Sequence, residues 1–210
     1  MINDQSSHSC EMPADEKGTS RFLMIQLVLV VFCCSGFIID VHHERLMKSC
    51  SEVYDIVQEG EYSLKAAFIY RFTEYVDWEG MPKEEEFKIA ILGDTPLTRN
   101  LINIAENAEV GNRKINVEEY DNLNEIDECQ ILFVSRESSV PLQAILHKFE
   151  GKETLIVTEK EGYGEKGSCI NFFLSESKIK FEVNLEAVEK AGLAVSSQLL
   201  QHAVVIGKQR

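Results

Sequence analysis

The apolar positions along the chain change period twice. Residues 22–39 form an almost unbroken hydrophobic run, Phe-Leu-Met-Ile-Gln-Leu-Val-Leu-Val-Val-Phe-Cys-Cys-Ser-Gly-Phe-Ile-Ile. A buried amphipathic helix would show a polar face there, and this run has none. Lys17 and Arg21 precede it and small residues occupy 33–36, which is the layout of a secretory signal peptide. Its length also reaches the lower limit for an uncleaved membrane anchor. Asp4, Glu11, Asp15 and Glu16 make the preceding segment unusually acidic, which a start at Met24 would explain. Residues 41–61 are polar and mixed. The chain therefore divides into a signal peptide or anchor at 1–40, a linker at 41–61 and one domain at 62–210.

From Tyr62 the pattern becomes regular. Leu64, Ala67, Phe68, Phe72, Tyr75 and Val76 share a helical face, with Lys65 and Glu74 placed away from it. Phe87–Leu92 reads as a buried strand and Gly93-Asp94 as a turn. Thr95 caps the following helix, with Pro96 at its first position and Leu97, Leu101, Ile104, Ala105 and Ala108 as its apolar stripe. Strands are expected at Lys114–Glu118, Cys129–Val134 and Thr154–Thr158, with a helix at 140–149 burying Leu142, Ile145, Leu146 and Phe149. Ser168–Leu174 and Lys178–Asn184 then flank Ser175-Glu176-Ser177. Ile179, Phe181 and Val183 alternate with Lys178, Lys180 and Glu182, which is a β-hairpin with one solvated face. Leu185–Ala191 is helical with Gly192 as its C′ residue, and Ser196 or Ser197 caps a last helix to about residue 205. Strands alternating with helices predict an α/β layered sandwich with a mixed, mainly parallel sheet and a C-terminal β-hairpin followed by helices.

Charge narrows the function. The chain has 35 acidic against 21 basic residues, a formal net charge of -14, and no Lys/Arg cluster to neutralise phosphates, so nucleic acid is excluded as a partner. Of six cysteines, cleavage after the leader would keep Cys50, Cys129 and Cys169, and none has CxxC spacing. His8, His42, His43, His147 and His202 form no ligand or nucleophile motif. Gly162-Tyr163-Gly164-Glu165-Lys166-Gly167 matches GxGxxG, but a strand is expected after it where a dinucleotide site needs a helix N-terminus. Gly93-Asp94-Thr95-Pro96 is an ordinary strand-to-helix turn whose Asp94 repels anions. Glu84-Glu85-Glu86 and Glu118-Glu119 lack the apolar neighbours that would split the pKa values of a catalytic pair. No catalytic residue, cofactor site or metal site is expected. Trp78 reads as a core anchor or an interface anchor.

Several segments together resemble the YfiR-like family (DUF4154). Leu64-Lys65-Ala66-Ala67-Phe68-Ile69-Tyr70-Arg71-Phe72 with Trp78 is similar to the family's opening, and Phe87–Gly93 to its first strand and turn. Cys129–Ser135 is similar to its central strand. Phe181-Glu182-Val183-Asn184-Leu185, Ala191-Gly192-Leu193 and Ser197–Leu200 are similar to its ending. The family-motif positions are thus Phe68, Tyr70, Phe72, Gly93, Cys129, Phe181, Asn184, Gly192 and Leu193. The resemblance implies a periplasmic, non-catalytic regulator, able to form a homodimer. Its partner would be the periplasmic sensor part of an inner-membrane signalling receptor, a diguanylate cyclase or a histidine kinase, and repression of a cyclase would lower cyclic-di-GMP. It also implies a disulfide between the first and central strands. Here Ala90 stands in the first strand, so no disulfide is expected for Cys129.

Three readings follow: a regulator acting by contact, a small-ligand sensor that alters such contact, and an uncharacterised α/β enzyme with a pocket at its strand ends. The absence of a convergent polar cluster in the sequence favours the first. The hairpin is the expected contact, with Phe173 directed outward because Ile170, Phe172 and Leu174 share the other face. Trp78 is a second candidate.

Overall fold

The computed structural model of the protein describes residues 58–78 and 86–207. The leader, residues 41–57 of the linker, Cys10, Cys33, Cys34, Cys50, His8, His42, His43, Glu84 and Glu85 lie outside the described residues. Within the described residues no helix is long and apolar enough to cross a membrane.

Helix α1 is described over residues 58–75, so residues 58–61, placed in the linker for their polarity, are helical. Strand β1 (Val76–Asp77) follows, then β2 (Phe87–Leu92), α2 (Leu97–Ala105), β3 (Glu109–Val110), β4 (Arg113–Tyr120) and a 3₁₀ turn at Leu123–Glu125. The chain continues through β5 (Ile131–Val134), α3 (Leu142–Lys148), β6 (Leu155–Thr158), β7 (Ile170–Ser175) and β8 (Lys178–Asn184). It ends with α4 (Leu185–Lys190), β9 (Ala194–Val195), α5 (Ser197–Leu200) and β10 (Val204–Ile206).

Eight strands form one sheet in the order β10-β8-β7-β6-β5-β2-β4-β3. Only β7–β8 and β4–β3 are antiparallel, so the sheet is mixed and mainly parallel, as the alternation of elements predicts. Strands β5 and β6 are buried at every position, as strands covered on both faces must be. Beyond Ser175 the hairpin turns on Glu176 and Ser177, both at positive φ, which is the two-residue geometry that matches strand twist.

The phase of α1 differs from the expected one. Tyr62, Lys65, Ala66, Ile69, Phe72 and Thr73 are its buried positions, with Val76 buried just beyond its end, whereas Leu64 is 45% exposed and Ala67 is exposed. Lys65, placed away from the apolar face, is 2% exposed. The helix is rotated because Lys65 finds carboxylate partners beneath it, as described below. Phe72 and the half-buried Phe68 straddle the hairpin rings Phe172 and Phe181, with centroids 5.3–6.2 Å apart. Burying one such ring contributes roughly 1.5–3 kcal/mol, and this four-ring cluster joins helix to sheet.

The C-terminal end also differs. Ser196 caps α5 through the Leu199 N–H, but α5 stops at Leu200, and Val204–Ile206 pairs in parallel with Glu182–Asn184 instead of extending the helix. The β-branched run Val-Val-Ile explains this, since such residues lose rotamer freedom in a helix and fit a pleated edge.

Candidate functional site

Strand β2 leads to β4 on one side, and the chain then crosses to β5 on the other. The order reverses between β2 and β5, and in open α/β sheets ligands enter the crevice at the carboxyl ends of such strands. Local contacts tie the two loops at this crevice to each other. Gly93, at φ +93, ends β2, and a Cβ there would lie 3.2 Å from the Ser138 backbone. Ser135, at the end of β5, donates its backbone N–H to Leu92 and its hydroxyl to the Asp94 carbonyl at 2.9 Å. Thr95 accepts from the Leu97 N–H and so caps α2 as expected. The two loops are thereby pinned together.

Next to this seam lies a polar cluster that the sequence reading missed. Glu159, at the end of β6, has a fully buried side chain. It accepts from Lys65 Nζ at 2.5 Å, from the Arg136 N–H at 3.0 Å and from the Tyr62 hydroxyl at 3.3 Å. Lys65 also pairs with Glu61 at 2.5 Å, one helical turn earlier, and the Arg136 guanidinium approaches Glu61 and Glu159 at 3.4 and 3.5 Å. Two cations face two carboxylates, so the quartet is neutral. Burial first, and the Glu159 charge second, push the Tyr62 phenol up to about 12. For Arg136, burial opposes the charge of Glu159, Tyr62 and Glu61, and the latter prevail and raise its value. Every carboxylate oxygen of Glu159 is engaged by α1 or the β5 loop. The cluster therefore clamps α1 onto the strand ends, and it corrects the expectation that no convergent polar cluster forms.

The cluster forms one wall of an open cavity of about 610 Å³ whose other wall is the hairpin, including Phe173, Leu174 and Ile179. Phe173 lies opposite Lys180 on the face away from Phe172, but it is half-buried where an outward, exposed ring was expected. Leu174, opposite Ile179, is the more exposed residue at 57%.

The remaining motif positions hold turns and packing. Asn184 caps α4 through the Ala187 N–H and donates to the Gly164 carbonyl at 2.8 Å, which fastens the glycine-rich loop. That loop leads into strand β7, and a Cβ on Gly164 would strike the Glu182 carboxylate. Gly192, at φ +73, ends α4, its N–H bonding Glu189 and the Leu193 N–H bonding Val188, a double C-terminal closure with Leu193 buried. Tyr70 is half-buried, and its carbonyl accepts from Thr73. Trp78 packs edge-on against Phe87 at 5.1 Å, and its Nε1 has no hydrogen-bond acceptor among the described residues. Among the described residues, His147 is exposed beside Glu150, while Glu118 accepts from Tyr120 and Asn116.

Cys129 and Cys169 are free and buried. Burial pushes Cys129 up to about 12 and Cys169 up to about 11. Folded values above the unfolded ones mean that these thiols and Tyr62 support the fold fully below about pH 9, and that this support is lost as pH rises toward 12. Alkylation at pH 8 followed by peptide mapping should leave both thiols unmodified until urea is added, and stability should fall from about pH 9 upward. Rapid native labelling of either would show that its pocket opens.

A search of curated proteins finds no match to this chain. The model of the YfiR/HmsC-like family, DUF4154, matches residues 62–204, which takes in most of α1, the pinned loops and the hairpin and reaches the first residue of β10, and the chain belongs to that family.

Proposed function

We propose that the protein is exported to the periplasm and there represses an inner-membrane signalling receptor, a diguanylate cyclase or a sensor kinase, by stoichiometric contact without turnover. Membership of the YfiR/HmsC-like family, which suggests regulation of diguanylate cyclase signalling, is the observation that carries this reading. The pinned loops at the ends of β2 and β5 accord with it, since Ser135 and Ser138 occupy space there that an incoming ligand would need. The hairpin supplies the contact, with Phe173 and Leu174 at its outer end, and Trp78 is a second contact candidate.

The test co-expresses the chain with its membrane receptor and follows cyclic-di-GMP. Wild type should lower it in proportion to copy number, and Phe173→Lys should relieve the effect while circular dichroism stays unchanged. Repression at far below one copy per receptor would remove the stoichiometric mechanism. A reporter active only outside the cytoplasm, fused after residue 61, should be active; a silent but stable fusion would remove export.

A further inference from the structure

Strand β7 is longer than the neighbour that covers it. Strand β6 pairs only with Ile170 and Asn171, while β8 pairs along the whole of Ile170–Ser175. Phe172–Ser175 therefore has a strand on one side only, and among the described residues no backbone hydrogen bond reaches it from the open side. Strand β8 also has an uncovered stretch, Lys178–Phe181, since β10 pairs only from Glu182 onward. The two edges are treated differently. The uncovered part of β8 carries Lys178 and Lys180, which discourage strand addition. The uncovered part of β7 reads Phe-Phe-Leu-Ser, with no charge and no proline.

The open side of β7 faces the 610 Å³ cavity described above. Its chemistry selects an occupant. The cavity is lined by four carboxylates, Glu61, Glu159, Glu161 and Glu182, against two cations, Lys65 and Arg136. The cations are committed to Glu61 and Glu159, so Glu161 and Glu182 remain as surplus negative charge. Lys178 and Lys180 do not line the cavity. On one face of the sheet an added strand would meet Leu174, and on the other the Phe173 ring and the Glu182 carboxylate, whose neighbour Asn171 donates to it at 2.9 Å.

We infer that the uncovered edge of β7 is a docking site for an extended segment of a partner protein that alternates apolar with basic residues. Backbone pairing to Phe172–Ser175 would hold the segment, its apolar side chains would cover Leu174, and its Lys or Arg side chains would reach Phe173, Glu161 and Glu182. This rests on the regulatory reading for the identity of the partner as a receptor, but not for the binding chemistry itself.

The experiment uses the full-length chain in mild detergent and three fluorescently labelled hexapeptides read by anisotropy: alternating Lys and Val, alternating Glu and Val, and the Lys–Val peptide N-methylated at alternate residues. The Lys–Val peptide should bind and the Glu–Val peptide should not. N-methylation should weaken binding by about tenfold or more, because it removes the ladder donors. Glu161→Lys, a change at an exposed side chain, should weaken the Lys–Val peptide by about tenfold and less at high salt. Equal affinity for the N-methylated peptide, or no binding of any peptide, would overturn the edge as the site. A homodimer that dissociates as the Lys–Val peptide binds would assign the edge to a second copy of the chain and overturn the partner segment. Peptide binding without any effect of the chain on cyclic-di-GMP would remove the regulatory reading and leave the edge standing, and repression without peptide binding would do the reverse.

Discussion

Lys65→Met should lower the unfolding free energy by about 3–5 kcal/mol, because it leaves the buried Glu159 carboxylate without its closest cation. Methionine keeps most of the aliphatic stem, so the loss reports charge and not packing. Glu159 has no exposed side-chain surface and cannot turn to water, and the Arg136 guanidinium at 3.5 Å is too distant to replace a 2.5 Å contact. Adding Glu159→Leu should recover much of the loss, since an apolar pair avoids the desolvation of both ions. Urea unfolding can be followed by the fluorescence of Trp78, the sole tryptophan, which packs against Phe87. The exposed Arg71–Glu74 pair provides the control, and Arg71→Met should change the midpoint little. A Lys65→Met midpoint close to wild type would mean that α1 is not clamped at its first turns.

The difference between Lys65 as read and Lys65 as placed shows what the sequence could carry. Strands β2, β5, β6 and the β7–β8 hairpin were legible because their apolar runs are short, contiguous or strictly alternating and are bounded by Gly, Ser and Asp. The caps Thr95 and Ser196 and the C′ Gly192 were legible because each needs a residue type with a local role. The phase of α1 was not. Drawing its face through Leu64, Ala67 and Phe68 assumes that lysine points to solvent, which holds for most lysines. The alternative face, Tyr62, Ala66, Ile69, Phe72 and Val76, has an equally regular spacing and places Lys65 inward. Choosing between them needs Glu159 and Arg136, which are 94 and 71 residues away and are brought there only by the sheet order. Strand β10 escaped for a related reason: three β-branched residues after a four-residue helix become a strand only because β8 offers an uncovered edge.

Phe72→Ala should be as damaging as the charge substitution, at about 3–5 kcal/mol, and on a domain of this size that lowers Tm by roughly 10 °C. The ring is fully buried, stacks on Phe172 at 5.9 Å and meets Phe181 edge-on at 5.3 Å. Neither strand can collapse into the space, because both are fixed by their ladder to each other. Phe68→Ala removes a ring from the same cluster but from a half-buried position, so solvent can fill part of the gap and the loss should be clearly smaller. The order of the two substitutions discriminates between helix phases. If Phe72 costs more than Phe68 and Leu64→Ala costs little, α1 sits as described, with Lys65 beneath it. If Leu64 and Phe68 cost as much as Phe72, the helix is turned toward the face drawn through Leu64 and Ala67. Lys65 would then leave Glu159, and the cavity beside β7 would lose the wall that gives it shape.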